Sequence, residues 1–352
     1  MACHKPQPEH YAGVLIIGTN SRIALLSANS SSTAAALALI ADDMREMDAV
    51  IECRLQSQVP LVSQVSHYIV AAGGKRLRPA LLLLTCGALG YRGNQRYNLA
   101  AVVEFIHTAT LLHDDVVDES TLRRGRVTAN EVFGNPASVL VGDFLYSRAF
   151  QMMVDAGDLR VMQTLAEATN VIAEGEVLQL MNMHDAALTQ DDYLRVIRSK
   201  TAKLFEASTR LAALLALSPP TVEKSCADYG QALGTAFQVI DDVLDYDGDV
   251  PEMGKNLGDD LREGKATLPL IIAMQRGTAA ERATIQNAIE TGGTQHMTQI
   301  IAIVRNTSAL QATRDAAALE AQRAIDALSG LPSNPHSKAL HELASQLLVR
   351  RS

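Results

Sequence analysis

Several residue types are scarce in this chain of 352 residues. It has no tryptophan, and aromatic residues make up only 4% of it, which disfavours a β-sandwich or β-barrel because strands are enriched in aromatic side chains. The cysteines, Cys3, Cys53, Cys86 and Cys226, form no CxxC pair, so their spacing indicates neither a zinc site nor a disulfide framework. This pattern predicts a reducing compartment, which we take to be the cytoplasm.

Long apolar runs and a surplus of basic residues are also missing. No uninterrupted apolar stretch approaches the roughly 18 residues that indicate a membrane-spanning helix, so we expect a soluble chain without a transmembrane segment. The formal net charge is −8 at pH 7, which argues against a nucleic-acid partner because such proteins normally present a basic face. Hydrophobic residues make up 47% of the chain, enough to exclude disorder for most of it.

Apolar residues at helical spacing dominate from Thr33 onward. Residues 1–32 contain a serine run but too few arginines for a transit peptide, and we expect a flexible N-terminal extension. A helix is predicted over 34–55, with a break at Pro60. Further helical segments, rich in strong helix formers, are predicted at 99–112, 137–154, 161–180, 193–217, 226–244 and 268–275. Because period-2 alternation is nearly absent, the sequence predicts one all-α helical bundle over residues 33–352.

One five-residue pattern, DDxxD, occurs twice, at 114–118 and 241–245, and each copy ends a long apolar segment. Helix positions i and i+4 lie on one face about 5–6 Å apart, so each copy presents clustered carboxylates at a helix C-terminus, where the helix dipole disfavours negative charge. Two such clusters facing each other would repel unless divalent cations lay between them. Carboxylate oxygens suit Mg²⁺, which shares its coordination shell with substrate phosphates. The alternative is that each copy is a solvated acidic helix end.

Basic clusters accompany the two acidic motifs. Residues 73–79 place three bases behind two glycines, and Arg123, Arg124 and Arg126 follow the first DDxxD. Further basic turns lie at 198–203 and 254–265. Arginine binds phosphate oxygens through paired N–H donors. Each cluster alone is better explained as a solvated turn, but together with the acids the clusters favour a site for Mg²⁺ and phosphate.

Two histidines lie near the first acidic motif. His107 lies seven residues before Asp114 on the same helix face, and taken alone it is best explained as a structural histidine. His113 is ambiguous. The chain has no Ser-His-Asp order, P-loop or GxGxxG after a strand, so the sequence does not support a hydrolase, a kinase or a dehydrogenase.

In combination, these motifs resemble the trans (all-E) polyprenyl diphosphate synthase family over residues 72–267. The matching segments are GGKRLRP (73–79), FIHTATLLHDDVVDESTLRRGR (105–126), Lys200-Thr201, FQVIDDVLD (237–245) and GKNLGDDLREGKATLP (254–269). Residues 134–153 and 170–182 are most similar to bacterial octaprenyl diphosphate synthases. The resemblance implies an isoprenoid synthase fold with a central active-site cavity, Mg²⁺ as cofactor and a homodimer.

The resemblance also implies roles for individual residues. Those implied to bind Mg²⁺ and to act in catalysis are Asp114, Asp115, Asp118, Asp241, Asp242 and Asp245. Those implied to bind the allylic diphosphate are Arg123, Lys200, Thr201, Gln238, Lys255 and Lys265. Those implied to bind isopentenyl diphosphate are Lys75, Arg78, His107 and Arg124, and this role replaces the structural explanation of His107.

The implied reaction is the condensation of isopentenyl diphosphate onto an allylic diphosphate such as farnesyl diphosphate. The allylic C–O bond ionises, the isopentenyl double bond attacks the carbocation, and the released diphosphate takes up the proton. The product would pass to a membrane enzyme that attaches it to a quinone precursor.

Product length is predicted from residues one helical turn before Asp114. Ala109 and Thr110 should flank the start of the tail channel, and their small side chains predict an open channel and a long product. The alternative for Ala109 is that it merely permits close helix packing. The candidates for the channel floor are Phe144, Tyr146, Phe150, Met152 and Met153. The sequence leaves products of C40, C45 and C50 open, together with the need for a second subunit.

Three other functions fit the sequence less well. A terpene cyclase has no use for the 73–79 cluster, and its second metal motif is usually built on Asn, Ser and Glu. A non-catalytic regulatory subunit typically lacks one or both acidic motifs. A plain helical scaffold leaves the paired DDxxD motifs unexplained.

Overall fold

The computed structural model describes residues 30–71, 73–123, 125–247, 258–293 and 295–349, and these ranges form an α-helical bundle. The helices up to the middle of the chain are α1 (Ser30–Leu39), α2 (Ala41–Arg54), α3 (Pro60–Ala71), α4 (Leu77–Ala88), α5 (Gln95–Val117), α6 (Ala129–Phe133), α7 (Asn135–Asp155) and α8 (Leu159–Met181). Those that follow are α9 (Gln190–Ile197), α10 (Lys203–Leu215), α11 (Pro220–Asp247), α12 (Asp259–Arg262), α13 (Leu268–Arg276), α14 (Ala279–Thr291), α15 (Met297–Asn306), α16 (Ala309–Ala327) and α17 (Pro335–Val349). The all-α prediction is confirmed.

Short irregular elements complete the bundle. A two-stranded antiparallel hairpin, β1 (Leu122–Arg123) and β2 (Arg126–Val127), lies between α5 and α6. Arg198–Ala202 forms a π-helical turn between α9 and α10, and Leu328–Gly330 forms a 3₁₀ turn after α16.

Helix α11 links two hydrophobic clusters. Its N-terminal half, which includes Tyr229, packs into the larger cluster with α4, α5, α7 and α10, and its C-terminal half, which includes Tyr246, packs into the second cluster with α13 and α16. Both tyrosines are almost completely buried. A helix that is apolar nearly all round is expected at the centre of such a bundle. Because α5 and α11 are both central, their C-terminal ends carry the two acidic motifs to the functional site.

Most predicted helical segments lie inside observed helices, but three boundaries differ. The segment 34–55 is divided at Ile40, whose backbone angles (φ −116°, ψ 18°) separate α1 from α2. Pro60 begins α3 rather than interrupting the chain, because proline is well tolerated at a first helical position. The segment 193–217 contains the unpredicted π turn. Ser30–Ser32 already belong to α1, and the rest of the predicted extension lies outside the described residues.

Two sequence-level exclusions are addressed by the structure. None of the helices in the described ranges combines the length and the apolarity of a membrane span. Cys86 and Cys226 are buried free thiols.

Candidate functional site

The first acidic motif occupies the C-terminal end of α5. Asp115 is buried, with its side chain 1% exposed. Its Oδ1 accepts a hydrogen bond from Nε of Arg123 at 2.7 Å and forms an ion pair with Nη2 of the same guanidinium at 2.7 Å. Asp114 and Asp118 keep 18% and 13% of their side chains exposed. Arg123 comes from strand β1, so the short hairpin folds back to neutralise the buried carboxylate.

The second acidic motif ends α11 and has the same arrangement. Asp242 is buried, and its two oxygens accept hydrogen bonds from the Tyr193 hydroxyl at 2.5 Å and from Nε2 of Gln238 at 2.8 Å. Gln238 in turn accepts a hydrogen bond from the Thr201 hydroxyl at 3.1 Å. Asp241 is exposed and Asp245 is half-buried. Burial raises the pKa of Asp242 well above its ordinary value.

In both motifs the second aspartate is therefore almost completely buried and held by donors of the protein, while the first and the last keep part of their surface exposed. The last aspartates also accept hydrogen bonds, Asp118 from Nζ of Lys265 and Asp245 from the backbone N–H of Asp260, each at 3.3 Å. Successive helix residues point about 100° apart, so the second carboxylate of each pair turns toward the core. The prediction treated all six aspartates as equivalent. The geometry separates them into Asp115 and Asp242, which are held within the protein, and four outward carboxylates, Asp114, Asp118, Asp241 and Asp245.

The outward carboxylates fit a magnesium ion. No group of three or more His, Cys, Asp or Glu side chains in the described ranges forms a ready-made metal cage. Mg²⁺ does not need one, because it keeps several waters and binds through one or two carboxylates plus substrate phosphates. Partly exposed carboxylates at two helix ends provide such hard oxygen ligands.

Two lysines lie against the carboxylates of the first motif. Nζ of Lys200 is 2.5 Å from Glu176 and 3.9 Å from Asp114. Nζ of Lys265 is 3.3 Å from Asp118 and 2.5 Å from Glu263. Burial raises the pKa of Asp114, and the positive charge of Lys200 opposes that rise. Both lysines were predicted as diphosphate ligands, and the structure places their ammonium groups against Asp114 and Asp118 of the first motif.

Lys200 and Thr201 are presented by the π turn Arg198–Ala202, which two glycines allow to lie close to its neighbours. A Cβ atom on Gly175 of α8 would lie 2.8 Å from the Lys200 backbone nitrogen, and one on Gly234 of α11 would lie 2.8 Å from Cα of Ala202. Single π turns occur frequently at functional sites. Here the turn lies between two helices that approach it without side chains.

We expect Gly175→Ala to lower kcat/KM by about 10- to 100-fold, because the added methyl group must displace the turn that carries Lys200. Steady-state kinetics with the two diphosphates that the resemblance implies as substrates measure this effect. Gly87→Ala is the matched control: its Cβ would collide with His336 on α17, far along the chain from the acidic motifs. Equal loss of activity in both variants at equal Tm would contradict a specific role of the turn.

A second basic group lies at the N-terminal end of α4. Lys75 is exposed, with Nζ 6.0 Å from the Phe237 ring centre. Nη1 of Arg78 is 3.2 Å from Nε2 of His107, and its guanidinium lies 4.6 Å over the Phe205 ring. The structure thus brings together the three described residues that the resemblance links to isopentenyl diphosphate. Arg124 and Lys255, which were also predicted, lie outside the described residues.

Other bases of the predicted clusters have structural partners. Arg198 pairs with Glu320 of α16 at 2.8 Å, and Lys203 pairs with Glu167 and Glu206. These ion pairs fasten the π turn to its neighbours, so of the basic turn 198–203 only Lys200 contacts the acidic motif.

A cavity of about 680 Å³ lies below the first acidic motif, between α5, α7 and α8. Thr110 lines it, whereas Ala109 is completely buried in the hydrophobic core. The placement of Ala109 agrees with the packing alternative. Of the predicted floor residues, Tyr146 and Phe150 line the cavity. The remaining floor candidates do not, because Met152 and Met153 are buried in the core and Phe144 packs against it.

Sequence reasoning missed the wall that α8 contributes and the carboxyl group within it. Glu176 lines the cavity and binds Lys200. Tyr193, the hydroxyl donor to Asp242, was missed as well. Glu176 lies in the segment 170–182 that resembled the octaprenyl synthases, and this was the available signal for it. No sequence pattern pointed to Tyr193.

Burial raises the pKa of Glu176 to about 7, with Lys200 opposing the rise and Asp114 adding to it. A carboxyl group with a raised folded-state pKa stabilises the fold below its unfolded pKa, and this stabilisation is lost as the pH rises through the folded value. In EDTA we therefore expect the difference between the Tm of Glu176→Gln and the Tm of the wild type to shift in favour of the variant as the pH rises from about 5 to about 8. The reason is that only the wild type loses the stabilisation by a protonated Glu176. Parallel Tm curves for the two proteins would contradict this expectation.

Proteins of known class are similar to this chain in sequence and in fold. A family model for polyprenyl synthetases matches residues 59–306. The octaprenyl diphosphate synthase of Escherichia coli (strain K12) is 53% identical over 307 residues, which is 87% of this chain and 95% of that protein. An all-trans-nonaprenyl-diphosphate synthase (geranyl-diphosphate specific) of Rhodobacter capsulatus is 47% identical over 317 residues, which is 89% of this chain and 97% of that protein.

A solved structure agrees with these relatives. A polyprenyl synthase from Caulobacter crescentus CB15, complexed with calcium and isoprenyl diphosphate, superposes with a TM-score of 0.88. It is 44% identical, and the match covers 92% of this chain and 99% of that one. The resemblance noted in the motifs is thereby confirmed, and this chain belongs to the polyprenyl synthetase family.

Proposed function

We propose that this chain is a Mg²⁺-dependent prenyltransferase that condenses isopentenyl diphosphate onto an allylic diphosphate such as farnesyl diphosphate and makes octaprenyl diphosphate. The observation that carries the proposal is the pair of acidic helix ends, with lysines at their side and a cavity of about 680 Å³ below the first. The 53% identity to an octaprenyl diphosphate synthase supports the length of the product.

The allylic diphosphate binds between the two acidic motifs. Mg²⁺ held by the outward carboxylates of Asp114, Asp118, Asp241 and Asp245 would act as a Lewis acid toward the departing diphosphate. Lys200 and Lys265, which now pair with carboxylates, supply the cations nearest to that group. Arg123, Thr201, Gln238 and Lys255 complete the proposed allylic site, with Asp115 and Asp242 fixing Arg123 and Gln238. Charge stabilisation of this kind favours ionisation of the C–O bond.

Isopentenyl diphosphate binds at the second basic group. Lys75, Arg78, His107 and Arg124 are the residues proposed to hold its diphosphate, and the Arg78–His107 contact orients the guanidinium. The double bond then attacks the allylic carbocation, and the proton lost from the adjacent carbon is taken by the released diphosphate. No side-chain base is required in this scheme.

The growing tail enters the cavity between α5, α7 and α8. Thr110, one helical turn before Asp114, lines it from α5, and Tyr146 and Phe150 line it from α7. A product one unit longer is the alternative that the nonaprenyl-diphosphate synthase among the relatives supports. A product two units longer is the alternative that the solved decaprenyl diphosphate synthase from Rhodobacter capsulatus supports.

We further propose that residues 33–352 act as one catalytic domain in a cytoplasmic homodimer. Exposed apolar side chains on α7 and α8, such as Leu140, Val154 and Met181, support a contact between copies through these helices. The apolar product would be handed to a membrane enzyme that attaches it to a quinone precursor.

Incubating the purified protein with farnesyl diphosphate, radiolabelled isopentenyl diphosphate and Mg²⁺, followed by sizing of the extracted products, tests the function. We expect one long polyprenyl species that is abolished by EDTA. No incorporation by the folded protein would contradict the synthase and point to a regulatory subunit, whereas a labelled short product would contradict the assignment of the cavity.

A further inference from the structure

The hairpin that carries Arg123 is fastened to helix α3 by two reciprocal hydrogen bonds. Nη1 of Arg126 in β2 donates to the Ala71 carbonyl at the end of α3, at 2.9 Å. In the opposite direction, the Tyr68 hydroxyl of α3 donates to the Val127 carbonyl in β2, at 2.6 Å. Each segment thus contributes one side chain to the backbone of the other.

Ring contacts reinforce this connection, which we call the hairpin latch. The Arg126 guanidinium lies 5.6 Å from the Tyr68 ring centre, within reach of a cation–π interaction. The Tyr68 ring also packs edge to face with Phe133 of α6, with ring centres 5.4 Å apart. The Tyr68 ring therefore contacts both the hairpin and α6, and its orientation does not depend on the hydroxyl group alone.

The latch connects segments that belong to different substrate sites. Ala71 ends α3, and the loop with Lys75 follows directly, while Arg123 lies on the paired strand of the same hairpin. Tyr68, Arg126, His107 and Arg123 line one small cleft. Gly73, which lines this cleft, and Gly125, between the two strands of the hairpin, adopt positive φ angles of 69° and 72°. Because glycine leaves such loops adaptable, a separate contact is needed to set their spacing.

We propose that Arg126 and Tyr68 are positioning residues that fix the distance between the allylic-diphosphate and isopentenyl-diphosphate sites. The inference rests on the proposed function for its kinetic consequence only, since the latch itself is a contact of the described residues. The loop with Lys75 of the isopentenyl-diphosphate site follows the end of α3 that the latch holds. A loosened latch therefore weakens binding of that substrate more than it slows the chemistry.

Two variants separate the parts of the latch. Tyr68→Phe removes only the hydroxyl and keeps the ring, and Arg126→Met removes the guanidinium and keeps the apolar length. From the usual worth of one hydrogen bond we expect each to raise KM for isopentenyl diphosphate by about 3- to 10-fold, with a smaller change in kcat. The double variant should raise KM by less than the product of the two single effects, because both act on one contact.

The chain offers matched controls for both substitutions. Tyr229→Phe also removes a hydroxyl that donates to a carbonyl, that of Leu340, at 2.8 Å. Arg148→Met also removes a guanidinium stacked over a ring, that of Phe144, at 5.1 Å. Neither contact joins the hairpin to α3, so neither control should change KM for isopentenyl diphosphate. Arg126→Lys keeps a donor and the charge, so it should raise KM for isopentenyl diphosphate less than Arg126→Met does.

Hydrogen–deuterium exchange of the substrate-free protein tests the latch without using activity. In Tyr68→Phe we expect faster exchange in the hairpin and at the end of α3 together, and unchanged exchange in Tyr229→Phe. Unchanged exchange would overturn the latch even if the enzyme is active, whereas coupled faster exchange without wild-type incorporation would overturn only the proposed function. An effect on KM in Arg126→Met but not in Tyr68→Phe would overturn the proposal in favour of direct substrate binding by Arg126.

Discussion

Asp241→Ala is expected to lower kcat by about 10³-fold, equivalent to about 4 kcal/mol of transition-state stabilisation, while the fold persists. Asp241 is exposed at the C-terminal end of α11, so its truncation leaves no cavity in the core. Its loss removes one of the outward carboxylates that are proposed to hold Mg²⁺ against the departing diphosphate. Product formation under saturating substrates, together with the thermal unfolding curve, measures both expectations.

A matched control lies on the same helix. Asp247 is also acidic and near the end of α11, but it forms ion pairs with Arg305 of α15 and Arg314 of α16. Asp247→Ala should therefore lower Tm while activity at low temperature is largely kept. Titration of Mn²⁺ in the presence of a non-reactive diphosphate should show weakened metal binding for Asp241→Ala and not for Asp247→Ala. Near-normal turnover of Asp241→Ala would remove the metal assignment of the second motif.

The two DDxxD motifs illustrate what spacing predicts and where it stops. Spacing placed both motifs at helix ends, because periodicity and helix propensity are local properties and α5 and α11 are long and strongly apolar. It could not distinguish Asp242 from Asp241, because the Tyr193 hydroxyl that holds Asp242 comes from a residue 49 positions away in the sequence. The same holds for Asp115, because its partner Arg123 lies in the hairpin that follows α5 and contacts Asp115 only when the hairpin folds back onto that helix.

The π turn and the wall of the cavity were hidden for a related reason. No pattern within the segment 193–217 predicts the π turn, because the residues that make room for it, Gly175 on α8 and Gly234 on α11, lie outside that segment. The break at Ile40 likewise follows no proline or glycine in the sequence. Element identity was therefore predictable from local pattern, whereas the geometry of the site depends on which helices approach one another.

Thr110→Tyr is expected to shorten the product, shifting the main species from a long polyprenyl chain to one several isoprene units shorter. Thr110 lines the cavity one helical turn before Asp114, and its hydroxyl is bonded within its own helix to the His107 carbonyl at 2.8 Å. A tyrosine ring at this position would occupy the space that the tail enters. Sizing of the products made from farnesyl diphosphate measures the shift.

The neighbouring residue provides the control that decides between the cavity and general disturbance of α5. Ala109 is completely buried among other side chains of the core, so Ala109→Tyr must overpack it, at a cost of about 1–3 kcal/mol or more in unfolding free energy. That variant should lose Tm and yield, with a product distribution that stays long in the folded fraction. An active Thr110→Tyr enzyme with unchanged products would contradict the assignment of Thr110 to the channel wall. A stable Ala109→Tyr enzyme that alone makes short products would assign the wall to Ala109 instead.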